Sequence, residues 1–432
     1  MSVMDPAHEG SPVFTRIADM RRSAFVRRYG RRCLALTIAA LVLTPSAQAQ
    51  VPVEPAATIS EATEAALAGL PQAASATAAR EQIAAQRRAA RGPFVGPPVA
   101  SGDFEIGSEG LSEQEAGIEA GFRWPGEGRA ARLAADRGGA VIDATLDEAR
   151  LQVAGEVRSA WWALANAQAM VAVERAQAEL ADQEVAAATR LVEAGVQARR
   201  DLLLAQAEQA AIDARLSAAE TELLSAEAAY TALAGPAPRA FPPEVLAASG
   251  ADLDQHPAIR AAQARSAAAE ARASVARFGS RPRIEGRLGV RRERVEEISG
   301  RSGYETALLV GVGVPIGRNY GALADSAAAR SEAISATAEA ARVRTRLVAE
   351  RLAAERRLDL ARRAVSEAEA RQNALAEALA LTERGRREGE IGFIEVLRAR
   401  QTVAQATRDL AVARVAALAA ISTYNQAQGI LP

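Results

Sequence analysis

Residues 194–216 read AGVQARRDLLLAQAEQAAIDARL, and residues 388–410 read EGEIGFIEVLRARQTVAQATRDL. Each run follows a long alanine-and-charge stretch and carries a glycine near its start, Gly195 and Gly389, 194 positions apart. At the same offset Asp201 corresponds to Glu395, Leu203 to Leu397, Ala205 to Ala399, Tyr230 to Tyr424 and Gly235 to Gly429. One match is chance; a series in one order is an internal duplication. Upstream, Pro71 and Pro257 each begin a helical stretch, and Pro125 and Pro315 each close a strand-like one. Each copy therefore reads helix, strand pair, long helix, turn, shorter helix. The expected division is 1–49 (export signal), 50–235 (first repeat), 236–254 (equatorial linker) and 255–432 (second repeat).

Proline is absent between Arg129 and Val192 and between Leu323 and Glu388. A helix of about 65 residues extends roughly 100 Å, so the body must be elongated. Apolar residues recur at helical spacing (Leu146, Val153, Val157, Trp161, Leu164), with alanine on more than one face. That pattern suits a helix with two neighbours, as in a curved wall. Gly195 and Gly389 then supply helix stops, leaving two hairpins with tips at 192–200 and 386–394. Trp161 and Trp162 read as packing between adjacent helices, not as a binding box.

Between the helices, residues alternate with period two. Ile118, Ala120, Phe122 and Trp124 alternate with Gly117, Glu119, Gly121 and Arg123. In 304–314, Tyr304, Thr306, Leu308, Val310, Val312 and Val314 alternate with Glu305, Ala307, Leu309, Gly311 and Gly313. In 283–290, Ile284, Leu288 and Val290 oppose Arg283, Glu285 and Arg287, and a shorter strand lies around Phe104 and Ile106. This is the signature of an outer-membrane barrel wall, and a half-buried soluble hairpin looks the same locally. Four strands cannot close a barrel alone, so either the sheet is soluble or several chains share one barrel.

Composition narrows the function. The 432 residues are 49% hydrophobic, 24% charged and only 4% aromatic, with 52 basic and 53 acidic side chains. No residue is lysine. Near-neutral charge gives no footprint for nucleic acid. One cysteine and two histidines exclude disulfides, zinc sites and most thiol or imidazole catalysis. No catalytic residue, cofactor site or metal site is expected. His256, beside Pro257, reads as structural or solvated, and His8 falls within the expected signal. That signal has a basic region (Arg21 to Arg32), an apolar run Cys33–Leu43, and the small-residue site Ala47-Gln48-Ala49. Removal after Ala49 would take Cys33 with it and leave a net charge of −5. With no other long apolar stretch, any membrane contact must be made by β-structure.

The run Arg190-Leu-Val-Glu-Ala-Gly195 with Asp201-Leu-Leu-Leu-Ala-Gln206, repeated as Arg387-Glu-Gly389-Glu-Ile-Gly-Phe-Ile-Glu395-Val-Leu, resembles the hairpin motif of TolC-type outer-membrane efflux proteins. His256-Pro257-Ala-Ile-Arg260 and Arg281-Pro282-Arg-Ile284 resemble the family too, and coverage runs over about residues 56–430. The resemblance implies a mainly α fold with a membrane β-barrel portion, each chain giving long α-helical hairpins and four strands. It implies a homotrimer with a 12-strand barrel in outer-membrane lipid and an α-barrel in the periplasm of a Gram-negative cell. It further implies docking to a periplasmic adaptor and an inner-membrane pump of RND type, in an efflux duct. The modest length and the lack of a lipid-anchor cysteine resemble the CzcC-type heavy-metal branch; drugs or type I secreted polypeptides are the alternative substrates.

By this resemblance the entrance and adaptor contact fall on Glu193, Gly195, Arg199, Arg200 and Asp201 of one tip. On the other tip they fall on Arg386, Arg387, Glu388, Gly389, Glu390 and Glu395. Those charges either interlock to hold the entrance closed or are solvated surface charges of about 0–1 kcal/mol each. Glu119, Arg123, Arg283, Glu285 and Arg287 point into an aqueous lumen if the apolar faces meet lipid. Two other readings remain: a periplasmic adaptor-like coiled coil, which lacks this duplication, and an exported structural coiled coil without a pore.

Overall fold

The computed structural model describes residues 56–107, 110–248, 250, 252–296 and 302–432; the expected export signal lies outside them. Helix α1 (Ile59–Ala68) is capped by Thr58, whose hydroxyl accepts from the Glu61 N–H at 3.2 Å. Helix α2 (Pro71–Ala89) opens on its proline, where the missing N–H costs nothing. Strands β1 (Val99–Gly107) and β2 (Gly110–Gly121) follow, then α3 (Glu127–Glu193) and α4 (Arg199–Ala234). After a 3₁₀ turn (Leu253–Gln255) come α5 (Pro257–Gly279), β3 (Glu285–Glu296), β4 (Ser302–Gly313), α6 (Tyr320–Arg387) and α7 (Phe393–Ala427). The series α2-β1-β2-α3-α4 and α5-β3-β4-α6-α7 thus run in one order. Helices α3 and α6 have 67 and 68 residues. No helix among the described residues is long and apolar enough to cross a membrane.

Along α3 the neighbours change. Toward the sheet it packs on α2 and α5, and toward the tip on α4 and α7, while α6 packs on α5 and α7. A helix with neighbours on two sides needs small residues on both, which explains why its buried set is dominated by alanine (Ala135, Ala144, Ala154, Ala165, Ala167, Ala181, Ala188). The large buried side chains gather at mid-height. Val157, Trp161, Leu164 and Tyr230 are wholly inaccessible, each contributing about 1.5–3 kcal/mol by burial. Trp161 stacks edge-on against Phe241 with ring centroids 5.3 Å apart, and the Trp162 indole N–H donates to Ser422 Oγ at 2.7 Å.

The connection between the repeats is clamped onto this band. Arg158 donates to Glu244 through Nε and Nη2, at 3.0 and 2.7 Å, and to Gln426 Oε1 at 2.6 Å. Asn425 donates to the Val245 carbonyl and accepts from the Ala247 N–H. Arg158 and Glu244 expose only 4% and 8% of their side chains. By contrast α6 buries little along its length and leaves Ile334, Val348, Leu352, Leu360 and Leu381 exposed.

The four strands form one antiparallel sheet in chain order, with β1 and β4 as its open edges. Its register separates two faces. One carries Ala100, Phe104, Ala116, Ile118, Leu288, Val290, Leu308, Val310 and Val312. The other carries Asp103, Glu113, Glu115, Glu119, Glu285, Arg287, Arg291 and Glu293. Leu308, Val310 and Val312 are 70%, 73% and 72% exposed, whereas Ala307, Leu309 and Gly311 between them are half-buried. Along β4 the polar face is thus the less exposed of the two.

Candidate functional site

Both hairpin tips are built by the same backbone device. The Gly195 N–H bonds the Val192 carbonyl and the Val196 N–H the Leu191 carbonyl; Gly389 and Glu390 repeat this on Arg386 and Gly385. This is the Schellman helix stop, which needs a left-handed residue at the turn. Gly195 and Gly389 supply it, with φ of 70° and 83°. Nothing lies within 4 Å of a Cβ added at either, so only the backbone conformation demands glycine there.

Of the charged tip residues expected from the sequence, some meet and others do not. Arg386 lies over the Phe393 ring, 4.6 Å from its centroid, and donates to Gln197 Oε1 at 3.4 Å. Gln197 in turn donates to Asp201 Oδ2, and Arg200 to Asp201 Oδ1, both at 3.4 Å. A chain of polar contacts therefore links the tips through Gln197, which sequence reading did not single out. Arg387 donates to its own helix at the Glu383 carbonyl. Glu193, Arg199, Glu388, Glu390 and Glu395 are exposed.

The stronger bonds between the hairpins lie just behind the tips. Arg400 on α7 pairs with Glu184 on α3 and, at 2.7 Å, with Glu383 on α6. Burial lowers the Arg400 pKa from its ordinary value. Glu174 on α3, only 3% exposed, is approached by Arg408 at 3.3 Å and by Arg215 at 3.5 Å. Gln401 on α7 donates to Glu208 on α4 at 2.6 Å. Between the hairpins Glu184, Glu208, Arg215, Glu383, Arg400 and Arg408 line a cleft of about 960 Å³. A signal for them existed in the duplication. At the offset of 194, Arg400 stands opposite Gln206, Arg408 opposite Ala214, Glu184 opposite Ala378, Glu383 opposite Thr189 and Glu174 opposite Ala368. Each is a charge that one copy carries and the other lacks.

The expected lumen residues divide at the strand ends. Glu119, Glu285 and Arg287 lie on the polar face, where Arg287 bonds Glu115 at 2.6 Å, Glu119 at 3.3 Å and Asp103 at 3.7 Å. Arg123 and Arg283 lie outside the strands, at the junction with α3. Arg123 donates to the Phe94 and Ala89 carbonyls, and Arg283 approaches Glu127 at 3.6 Å. Pro125 and Pro282 deny the ladder its donors there, so the two arginines hold the sheet to the helices. Trp124 donates to the Pro282 carbonyl at 3.1 Å in the same junction. Sequence reading also ended β3 too early: the strand continues through Arg291–Glu296 beside β4. Among the described residues the polar face holds eight acids (Asp103, Glu105, Glu113, Glu115, Glu119, Glu285, Glu293, Glu305) against two arginines, Arg287 and Arg291. No group of three or more His, Cys, Asp or Glu among the described residues is arranged to hold a metal ion.

Long paired hairpins are thus joined to a four-stranded sheet with one exposed apolar face and one mainly acidic face, the architecture of an outer-membrane channel wall. The comparisons agree with that class. Residues 250–429 match the model of the outer membrane efflux protein family, so the family resemblance of the sequence stands. The outer membrane protein VceC from Vibrio cholerae is similar over 86% of this chain and 96% of its own, at 19% identity and a TM-score of 0.70. The outer-membrane channel OprN is similar over 86% and 89%, at 20% identity and a TM-score of 0.73. A membrane protein from Pseudomonas aeruginosa is similar over 87% and 91%, at 19% identity and a TM-score of 0.72. The fold is that of the TolC-type outer-membrane channels. Among curated proteins, no sequence match is found.

Proposed function

We propose that three copies of this chain form the outer-membrane exit duct of a tripartite efflux system. The observation that carries the reading is the sidedness of the four-stranded sheet. Its outward face exposes Phe104, Ile118, Leu288, Leu308, Val310 and Val312, a surface that water disfavours and lipid accepts. Its two open edges require β4 of one chain to meet β1 of the next, and three chains of four strands give twelve. The exposed apolar residues of α6 support side-by-side helix packing in the same trimer. The hairpin tips then form the entrance, where a periplasmic adaptor and an inner-membrane pump, of RND type by analogy, deliver substrate.

The inner face supports cationic cargo, such as heavy-metal ions. Eight acids against two arginines give the described polar face a net charge of −6 per chain, −18 in a trimer. Rings of acidic side chains favour cations in a pore. Native electrophoresis of detergent-extracted membranes tests the duct itself. A detergent-dependent trimer in the outer-membrane fraction is expected; a soluble periplasmic monomer overturns the reading in favour of a poreless coiled coil. Growth of a deletion strain on metals and on drugs then separates the cargo classes, with metal sensitivity expected.

A further inference from the structure

At the end of the sheet away from the helices, the lipid-facing side changes character. The register places Phe104, Gln114, Arg292 and Thr306 in one outward row, with Arg294 and Tyr304 beyond it. These two rows carry no acid, because Glu113, Glu293 and Glu305 alternate to the inner face. The Arg292 guanidinium lies 4.4 Å from the centroid of the Tyr304 ring. Arg292 is exposed, and Tyr304 is 50% exposed.

From Gly286, beside Phe122 at the helix end, to Arg294 is eight residues, about 27 Å of strand. With the usual tilt this covers about 20 Å of bilayer, so Arg294 and Tyr304 sit near the outer rim of the apolar band, and Arg292, one outward row nearer the helices, sits about 5 Å below them against the same ring. An arginine facing lipid costs several kcal/mol at mid-depth and little at the interface, where an anion can meet it. A guanidinium packed against an aromatic ring is restrained in orientation, and its donor fork matches two oxygens of one phosphate. Gln114 and Thr306 in the same row add hydrogen-bonding groups to that face.

We propose that the Arg292–Tyr304 rim is a binding site for the phosphate groups of the anionic glycolipid in the outer leaflet, repeated once per chain around the barrel. The proposal rests on the reading of the sheet as an outer-membrane barrel wall. It is tested on the full chain, purified as a detergent-solubilised trimer, by native mass spectrometry with diphosphoryl lipid A, the same lipid enzymatically dephosphorylated, and inorganic phosphate. Diphosphoryl lipid A is expected to remain bound and the dephosphorylated lipid to be lost. Arg292→Gln is expected to weaken retention about fivefold. Arg292→Lys keeps the charge and is expected to retain part of the binding; Tyr304→Phe, which keeps the ring, is expected to retain most of it. Equal retention of the two lipids, or unchanged retention in Arg292→Gln, overturns the proposal. Displacement of the lipid by millimolar inorganic phosphate assigns the site to a free anion and overturns it as well. A chain that gives no detergent-dependent trimer overturns the channel reading together with this one, whereas a trimer indifferent to phosphorylation overturns this one alone.

Discussion

His256 caps α5 through its unprotonated ring nitrogen, which accepts from the Ala258 N–H at 3.2 Å, and its ring is 5% exposed. The ring lies so close to Gly429 that a Cβ there would meet Cδ2 at 2.7 Å. Burial lowers the His256 pKa, opposed by the Gln426 backbone and by Glu350 and Glu148. Below the ordinary value of about 6.5 the unfolded chain takes up a proton that the folded chain resists, so stability is lost as pH falls through that value. His256→Asn keeps a cap acceptor without the titration, and thermal melts between pH 7.5 and 5 should show a flatter dependence than wild type. The buried pair Arg158–Glu244 makes a second residue-scale prediction. Arg158→Met strands a buried carboxylate and should cost about 3–5 kcal/mol, while Arg158→Met with Glu244→Leu should cost less. Melting temperatures of the two variants check the order. Sequence reading left His256 as structural or solvated from its place before Pro257, and Arg158 carried no sign of burial. It sits among the apolar residues of a helix, and its partner is 86 positions away on an irregular segment.

At the scale of elements, legibility followed periodicity. The proline-free runs gave α3 and α6 nearly to the residue, because helices of this length have few competing conformations. The strands were legible in kind and displaced in extent. Arg291-Arg292-Glu293-Arg294 is all charge, and a charged strand reads as a loop unless its partner, here β4, is known. The tip charges, read either as interlocking pairs or as solvated ones, are joined by weaker contacts than the residues behind them. Arg400 ties α7 to both α3 and α6, so Arg400→Ala should loosen the two hairpins and raise single-channel conductance in planar bilayers. Arg371→Ala, which removes the exposed Arg371–Asp409 pair within one hairpin, should leave conductance unchanged. Equal conductance in both variants would show that the network does not set the aperture.

For the whole molecule, composition gave no footprint for nucleic acid and left little for thiol or imidazole catalysis, and the alanine content now has a reason: edge-to-edge helices leave no room for larger side chains. The asymmetry of charge across the sheet was harder to see, since the total is −1 and only the register shows acids gathered on one face. In a potassium chloride gradient the reconstituted channel should show a reversal potential favouring the cation. Replacing Glu113, Glu115 and Glu119 together by Gln should reduce that permeability ratio by about twofold or more. Measurement at high and low salt checks that the effect is electrostatic, because screening shortens its reach from about 10 Å at 0.1 M to about 3 Å at 1 M.

The clamp of Arg158 on Glu244 and Gln426 sits about 35 residues from the end of α3, which makes roughly 50 Å of uninterrupted helix beyond it. Helix α3 carries no proline in that span, so a rotation at the clamp would be carried along the whole segment. A tilt of about 5° there would carry the tip some 4 to 5 Å sideways, by the same rise per residue. A small rotation at mid-height is therefore magnified at the hairpin tip. The packing that limits that rotation lies around Trp161 and Tyr230, in the same mid-height band as the clamp.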